Sequence, residues 1–264
     1  MRVALLGPKG TYTHQAAEKY FREFEPVFCS TIREVFESDV EVKFVPIENS
    51  LGGGVSDTID LLKERDVEVT GEVRLPIRHA LISNEDSVED IDTVVSHPQA
   101  LSQCRKIINS NGWDEKEANS TAQAVEGLES GEAALASEIA AEINDRNVLQ
   151  KGVQDTDTNV TRFFVLNGER RGSDKSVMIL EPGEDRPGLL HAMLSCFSGH
   201  VINLSHIQSR PTKKELGDYY FYVEAEDGEG ESMDKAVQCL ETYGKVQFLG
   251  SYSVMEDDKD EEKN

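Results

Sequence analysis

The sequence predicts an α/β protein in which a larger N-terminal region is followed by a smaller domain of order βαββαβ. In the first two-thirds of the 264 residues, short apolar runs typical of strands alternate with segments of helical periodicity. Val55, Ile59 and Leu62, for example, lie on one helix face. The stretch at residues 167–175 is polar and contains glycine, and the pattern restarts after it, which predicts a domain boundary there.

The N-terminal elements follow one another closely along the chain. They are a strand at 3–6, a helix at 13–24, a strand at 42–46, the helix around Ile59, a β-rich segment at 67–82, a strand at 93–95 and a helix reaching Ile108. Capping-box patterns mark two further helix starts, with Ser96 and Ser120 as the expected N-caps. This alternation predicts largely parallel strands.

The smaller domain is predicted from strands and helices between residues 176 and 253. The strands lie at 176–180, 202–209, 219–225 and 246–253, with helices opening at Pro187 and Ser232. This order in about 80 residues is the ferredoxin-like arrangement. Residues 254–264 are predicted to be an acidic tail.

Composition excludes several classes of function. The chain carries 50 acidic and 27 basic residues, a net charge of −23, so it has no basic stripe for nucleic acid and no attraction to anionic membranes. We find no apolar run of about 18 residues and no signal peptide, which predicts a cytoplasmic protein. The acid excess is spread along the chain, as on a surface suited to high salt.

The sequence predicts no metal site and no cofactor. The four cysteines form no C-x-x-C pair, and the six histidines show no ligand spacing. Cys29, Cys104, Cys196 and Cys239 are therefore predicted to be free thiols.

Three segments concentrate polar side chains at strand ends. Residues 7–11 join a strand to a helix with two glycines. Glu48-Asn49-Ser50 opens a glycine-rich loop after a strand, at the edge where open α/β sheets bind ligands. Residues 155–164 lead from a polar run into a strand. Plain turns, caps and β-propensity are the structural alternatives. His14 and His97 are further candidates for acid catalysis, with packing or capping as alternatives.

Five motifs, in this order, resemble the successive motifs of the prephenate dehydratases: GPKGTYTHQAA, VPIENSLGGGV, SHPQALSQC, NSTAQA and DTDTNVTRFF. Two later segments, 188–191 and 208–211, resemble the ligand-binding motifs of that family's ACT domain. The resemblance implies a catalytic domain at 1–168, with two lobes folded like a periplasmic binding protein, and an ACT domain at 175–253. Lobe 1 would comprise about 1–75 and 155–168, and lobe 2 about 76–154.

The resemblance also implies the chemistry: decarboxylation and dehydration of prephenate to phenylpyruvate in the cleft between the lobes. The implied catalytic residues are Thr161, Asn49, Gln103 and Glu48. The implied substrate contacts are Thr11, Thr13, Ser50, Ser96, Arg162 and Phe163. Independently of the family, the aromatic product drives the loss of CO₂ and hydroxide, so polar donors suffice. Thr161 is expected to act as a donor to the leaving oxygen, or as a relay to water.

Regulation by phenylalanine is implied in the same way, at a dimer interface in a homo-oligomer, dimer or tetramer. The implied phenylalanine contacts are Gly188, Leu189, Leu190, Asn203, Gln208, Ser209, Arg210 and Pro211. Gln208 stands where the family usually has Glu, and Leu189 where Ala is usual, which puts effector sensitivity and identity in question. An ACT domain that only dimerises is one alternative. For the whole chain, the alternatives are an arogenate dehydratase and a non-catalytic amino-acid-binding regulator.

Overall fold

The computed structural model describes residues 1–183, 186–213 and 218–255, which form two compact units. The first unit comprises Met1–Val55 and Arg74–Phe163. The second comprises Ser56–Val73 and the described part of Phe164–Asn264. The chain passes from one unit to the other three times, once between Val55 and Ser56 and twice within a strand, and each unit is described by itself below.

The strands up to residue 166 are short. In chain order they are β1 (Arg2–Leu6), β2 (Glu25–Cys29), β3 (Val42–Asn49), β4 (Gly53–Gly54), β5 (Val69–Pro76), β6 (Ala80–Ser83), β7 (Thr93–Ser96), β8 (Asp114–Glu117), β9 (Glu132–Ala136), β10 (Asn147–Gln150) and β11 (Val160–Leu166). Strands β5 and β11 each have residues in both units. The predicted alternation of strands and helices is confirmed.

The helices of this region are α1 (Tyr12–Tyr20), α2 (Ile32–Glu37), α3 (Ser56–Glu64), α4 (Pro98–Gln103), α5 (Arg105–Asn111), α6 (Thr121–Glu126) and α7 (Glu138–Asn144). Of these, α3 belongs to the second unit. Its Ile59 and Leu62 are buried, as the helical spacing predicts.

Two sheets form the first unit, as expected for two lobes. One has the order β11-β3-β1-β2, in which β1 pairs in parallel with both β2 and β3. The other has the order β10-β6-β9-β7-β8. Here β7 is parallel to β8 and β9, whereas β6 is antiparallel to β9 and β10. The chain runs from β5, which ends at Pro76, into β6 of the second sheet and enters β11 of the first sheet at Val160.

One of the two predicted helix caps is wrong. Ser120 caps α6 as predicted, because its side chain accepts from Gln123 N. At α4, however, the cap is His97, whose Nδ1 accepts from Gln99 N at 3.2 Å. Strand β7 extends one residue further than the pattern suggested, so Ser96 lies inside the sheet and its hydroxyl donates to Leu135 O at 2.6 Å.

The second unit contains the predicted βαββαβ domain. Its elements are β12 (Lys175–Pro182), α8 (Leu189–Ser198), β13 (Leu204–Pro211), β14 (Tyr219–Ala225), α9 (Glu231–Glu241) and β15 (Gly244–Tyr252). A short strand, β16 (Val254–Met255), follows the domain. The antiparallel sheet has the order β13-β14-β12-β15. Met193 and Phe197 of α8 and Leu240 of α9 pack into one core with the sheet.

The first two residues of the predicted acidic tail, Val254 and Met255, form a strand. This strand, β16, pairs in parallel with Glu72 and Val73 of β5. The rest of the predicted tail, residues 256–264, lies outside the described residues.

The prediction of four free thiols is wrong for two of them. Cys196 of α8 and Cys239 of α9 form a disulfide, with their Cα atoms 5.7 Å apart. The sequence could not reveal this pair because the two helices are brought together only by packing on the same sheet. Cys29 and Cys104 are free.

Candidate active site

A cavity of about 430 Å³ lies in the first unit, where the carboxyl ends of β1, β2, β3 and β7 meet. The polar residues that line it are Thr11, Tyr12, Thr13, Ser30, Asn49, His79, His97, Gln99, Gln103, Asn119, Ser120, Thr121, Asn159 and Thr161. Residues from both sheets of the unit contribute. This edge of the sheets is where the sequence predicted a binding site.

The lining carries many polar side chains but almost no charge. It contains no Asp, Glu, Lys or Arg, and the chain from Met1 to Phe163 is described without a gap. Hydroxyl, amide and imidazole groups supply its hydrogen-bonding capacity. Such a surface can orient an anion and donate to a developing charge, but it offers no carboxylate to a cation.

Asn49 is held rigidly at the end of β3. The chain folds back there through Gly53, whose φ of +77° favours glycine, so that β4 pairs with β3 across Asn49 and Gly53. The Asn49 Oδ1 atom accepts from the backbone N–H groups of Leu51 at 3.1 Å and Gly52 at 2.9 Å. The side-chain amide therefore has a fixed orientation at the mouth of the loop.

The side-chain amides of Asn49, Asn159 and Gln103 are hydrogen-bonded in series, and that of Asn49 also contacts Thr161, the predicted catalytic threonine. Asn49 Nδ2 donates to Thr161 Oγ1 at 2.9 Å and to Asn159 Oδ1 at 2.7 Å. Asn159 Nδ2 donates to Gln103 Oε1 at 2.8 Å. The structure thus brings together Asn49, Gln103 and Thr161, which lie far apart in sequence.

His79 and Tyr12 extend this network. The Nε2 atom of His79 is 3.0 Å from Gln103 Oε1, and its Nδ1 atom is 2.6 Å from the hydroxyl of Tyr12. Burial lowers the pKa of His79, and the hydrogen bond to Gln103 offsets part of that shift. Burial of the phenol raises the pKa of Tyr12, and Cys104 adds to this effect. Both groups are therefore neutral at pH 7.

The segment that joins β1 to α1 contributes the hydroxyls of Thr11 and Thr13, of which Thr11 is already engaged in a helix cap. Thr13 is buried and lines the cavity. Thr11 also lines it, but it is the N-cap of α1: its Oγ1 accepts from His14 N at 3.4 Å and is 3.4 Å from Leu6 O. Phe163 lines the wall and stacks on Phe44, with ring centroids 5.3 Å apart.

Four predicted site residues lie outside the cavity lining. Glu48 accepts from Arg162 at 2.7 Å, so both groups form an ion pair. Ser50 donates to Thr158 O at 2.7 Å and accepts from Val160 N at 2.9 Å, which ties the loop to β11. Ser96 donates into its own sheet, as described above.

Of the two candidate histidines, only one lines the cavity. His97 does so as a helix cap. His14 is buried elsewhere, where its Nδ1 atom accepts from Gly10 N at 3.3 Å and burial lowers its pKa.

Sequence reasoning missed Tyr12, His79 and Asn159. Tyr12 and Asn159 lie inside the quoted motifs, close to the predicted site residues Thr13 and Thr161. Its place inside the motif, two residues before Thr161, was a usable signal for Asn159. His79 offered none, because it joins the site only through the turn that follows β5.

A second cavity, of about 550 Å³, lies in the second unit around the start of α8. It is lined by Glu181, Pro182, Gly183, Arg186, Gly188, Leu189, Leu190, His191, Ser209, Thr212, Asp218, Tyr219 and Phe221. Gly188, with φ +82°, opens the helix. Of the eight predicted effector contacts, Gly188, Leu189, Leu190 and Ser209 line this cavity.

The other four predicted effector contacts do not line it. Asn203 donates to Glu226 at 2.5 Å, and the guanidinium of Arg210 is held by Asp60 and Ser56. Gln208 and Pro211 are on the same strand as Ser209 but are not part of the lining.

Within the described residues, no cluster of three potential metal ligands occurs and no helix is long and apolar enough to span a membrane. The chain thus has a two-lobed α/β region with a neutral, donor-rich cavity, followed by a ferredoxin-like domain with a cavity of its own. This arrangement is that of an enzyme whose catalytic domain carries a regulatory domain that binds small molecules. Residues 3–171 match the prephenate dehydratase family and residues 183–232 match the ACT domain family. The chain belongs to the prephenate dehydratase family.

Two curated relatives illustrate the match. The chain is 43% identical over 271 residues to the bifunctional chorismate mutase/prephenate dehydratase of Aquifex aeolicus, covering 96% of this chain and 73% of the relative. It is 36% identical over 266 residues to the prephenate dehydratase of Methanocaldococcus jannaschii, covering 94% of this chain and 97% of the relative.

Two solved structures share the fold. The prephenate dehydratase of Staphylococcus aureus has a TM-score of 0.85 at 35% identity and covers 96% of this chain and 100% of its own. The prephenate dehydratase of Arthrobacter aurescens, solved in complex with L-Phe, has a TM-score of 0.84 at 30% identity and covers 96% of this chain and 90% of its own.

Proposed function

We propose that the chain is a carbon–oxygen lyase that converts prephenate to phenylpyruvate, CO₂ and water in the first-unit cavity. The ring carboxylate leaves as CO₂, its bonding electron pair moves into the ring, and the C4–O bond breaks so that the ring becomes aromatic. One proton must reach the departing hydroxide. A neutral cavity with aimed donors is suited to this reaction, because no strong base is required.

One observation supports the proposal most directly: the orientation of the Thr161 hydroxyl. Its oxygen accepts from Asn49 Nδ2 at 2.9 Å, so its own O–H is left to donate elsewhere, and the residue lines the cavity. A donor at this position can stabilise the departing oxygen and pass a proton from water. Thr161, Asn49 and Gln103 form the proposed catalytic set, and Thr13, Thr11 and Phe163 the proposed substrate contacts.

The other predicted contacts take supporting roles in this proposal. Glu48 and Arg162 neutralise each other at 2.7 Å beside the site, and Ser50 fastens the loop that carries Asn49. Ser96 is committed within its sheet. We therefore assign these four residues to holding the site's framework.

Prephenate is preferred to arogenate in this proposal. Arogenate carries an ammonium group where prephenate has a side-chain keto group. A buried ammonium needs an anionic partner, and the lining has no carboxylate to provide one. Amide and hydroxyl donors such as those of Gln99 and Thr121 suit a keto oxygen instead.

The test is phenylpyruvate formation from prephenate in molar KCl, with arogenate as a competing substrate. Wild-type protein should turn over prephenate, and arogenate should be a poor competitor. Activity on arogenate alone would establish the arogenate dehydratase instead. No turnover of either substrate by folded protein would favour a non-catalytic amino-acid-binding regulator.

Thr161 is tested by substitution. Thr161→Ala should lower kcat by more than tenfold, whereas Thr161→Ser, which keeps the hydroxyl, should retain most of the activity. Thr156→Ala is the matched control, since Thr156 is exposed and its hydroxyl contacts Thr158. Retention of kcat within about threefold in Thr161→Ala, under 1 kcal/mol, would remove the threonine from the mechanism.

Regulation by L-phenylalanine through the second cavity is part of the proposal. Leu189 and Leu190 can pack against an aromatic ring, and Gly188 lets the backbone approach a ligand. L-Phe would bind one of two states of the protein more tightly and so shift turnover. Ser209→Ala should weaken L-Phe binding measured by calorimetry, whereas Ser205→Ala on the same strand, outside the lining, should not.

We also propose that the chain forms at least a dimer, through the open edge of the βαββαβ domain. Strand β13 is one of the two edge strands of its sheet, and its Ile207 is 42% exposed. Light scattering should give a mass of two chains or more, and Ile207→Lys should reduce it. An unchanged mass in that variant would move the interface elsewhere.

Two further statements stay proposals. The boundaries at 1–168 and 175–253 predict that limited proteolysis cuts first within 169–174. The cytoplasmic location is tested by cell fractionation. Thiol trapping in the same fractions reports whether the Cys196–Cys239 disulfide forms there, because disulfides are rare in reducing compartments outside hyperthermophiles.

A further inference from the structure

A continuous line of hydrogen bonds runs along the wall of the first-unit cavity. It begins at the backbone of the glycine-rich loop and passes through Asn49, Asn159 and Gln103 to His79 and Tyr12. Every step is between 2.6 and 3.1 Å. Each interior member is an amide or an imidazole, groups that present a donor on one side and an acceptor on the other.

The direction of this line is fixed at its loop end. The backbone N–H groups of Leu51 and Gly52 can only donate, so Asn49 must turn its Oδ1 atom toward them and its Nδ2 atom toward Asn159. Asn159 must then accept with Oδ1 and donate with Nδ2. The Oε1 atom of Gln103 consequently accepts the hydrogen bond from Asn159 Nδ2, and this fixes the orientation of the Gln103 amide.

The orientation of Gln103 decides the tautomer of His79. Because Gln103 Oε1 is an acceptor, the His79 Nε2 atom at 3.0 Å must carry the proton. The Nδ1 atom is then an acceptor, and the Tyr12 hydroxyl at 2.6 Å is its donor; the Arg78 carbonyl oxygen, 3.1 Å from the same hydroxyl, is the longer of the two contacts open to that single proton. His79 is only 3% exposed, so a mismatched tautomer could not be relieved by water.

We propose that His79 and Tyr12 are positioning residues for the reaction: they hold Gln103 with its amide NH₂ available to the cavity, where it acts as a second donor beside the Thr161 hydroxyl. The opposite His79 tautomer would point a lone pair at Gln103 Oε1. The amide would then be held in its orientation by Asn159 alone, so it could turn over more easily and present an acceptor to a departing hydroxide. This inference rests on the proposed dehydratase function.

The first measurement is the tautomer itself. Two-bond ¹H–¹⁵N correlation spectra of histidine-labelled protein separate the two neutral forms, and the signal lost in His79→Gln identifies His79 among the six histidines. Wild-type His79 should be the neutral Nε2–H form. An Nδ1–H form would overturn the proposal whether or not the protein turns over prephenate.

The second measurement isolates the Tyr12 hydroxyl. Tyr12→Phe removes one O–H group and leaves Gln103 as the one remaining partner that favours the Nε2–H tautomer, so the share of this form should fall. It should lower kcat about fivefold, the loss of one hydrogen bond, with KM changed by less than about twofold. Tyr243→Phe is the matched control, since Tyr243 does not line this cavity. A kcat within twofold of wild type for Tyr12→Phe would contradict the role.

The third measurement uses a conservative rescue. His79→Gln keeps a side-chain N–H near the place of Nε2, whereas His79→Leu removes it. The Gln variant should exceed the Leu variant at least tenfold in kcat at similar melting temperature, and equal rates would show a purely structural role. If wild-type protein fails to turn over prephenate, the proposed function falls, and the tautomer spectrum still decides the hydrogen-bond direction.

Discussion

Arg210 donates to one oxygen of Asp60 from both its Nε and its Nη2 atoms, at 3.1 and 2.8 Å. The same carboxylate accepts from Lys213 at 2.7 Å and from the Tyr220 hydroxyl at 2.6 Å. All four residues belong to the second unit, where Asp60 on α3 faces strands β13 and β14. Arg210 was predicted to contact phenylalanine, but its guanidinium is used here to fasten α3 to the βαββαβ sheet.

This cluster should contribute measurably to the stability of the second unit. A double-mutant cycle with Asp60→Ala and Arg210→Ala should give a coupling free energy of about 1 to 3 kcal/mol, because the pair is charge-assisted and both side chains are mostly buried. Denaturant unfolding measures it. The exposed pair Lys235–Glu231 on α9 is the matched control and should show no measurable coupling. Equal couplings in the two cycles would contradict the role given to Asp60.

Asp60 should also make stability depend on pH in the acid range. Burial alone would raise its pKa, but hydrogen bonds from Lys213, Tyr220 and Arg210 outweigh burial and lower the pKa. A carboxyl whose folded pKa is depressed stabilises the fold above its unfolded pKa of about 3.9, and this stability is lost as the pH falls through the folded pKa. The stability difference between wild type and Asp60→Asn should therefore be full at pH 7 and shrink below about pH 4. A constant difference from pH 7 to pH 2 would contradict this assignment.

Asn49→Asp tests the donor function of the loop amide with almost no change of shape. An aspartate cannot donate to Thr161 Oγ1 or to Asn159 Oδ1, and it would draw the Thr161 O–H toward itself. It also places a negative charge against a dianionic substrate. We expect kcat/KM for prephenate to fall at least about 100-fold, the sum of two lost hydrogen bonds and the repulsion. Asn111→Asp, on an exposed helix end, should leave the initial rates unchanged.

The fold could be predicted further than the site could. Periodicity is local, so the strands of the βαββαβ domain and the burial of Ile59 followed from spacing alone. Long-range pairing is not local, and neither the Cys196–Cys239 disulfide nor the Arg210–Asp60 contact leaves a trace in sequence spacing. The prediction of free thiols was wrong for this reason.

The same distinction between local and long-range information applies to the site residues. Asn49 and Thr161 were predicted from motifs and meet at 2.9 Å, whereas His79 carried no motif and enters the site through its contacts with Gln103 and Tyr12. Ser96 shows the opposite error. Its sequence context fits a cap, but the strand continues for one residue more and takes the serine into the sheet.

The acid excess makes salt a strong determinant of stability. A net charge of −23 repels itself across the folded surface, and exposed acids adjoin one another, as Asp114, Glu115 and Glu117 do along β8. Ionic strength near 1 M shortens the Debye length to about 3 Å and screens this repulsion. The melting temperature should therefore rise by about 5 °C or more between 0.05 and 2 M KCl. NaCl at equal ionic strength should act alike, because screening does not depend on the cation. A rise with KCl alone would point to bound potassium instead, and no rise with either salt would show that surface repulsion does not limit the stability of this fold.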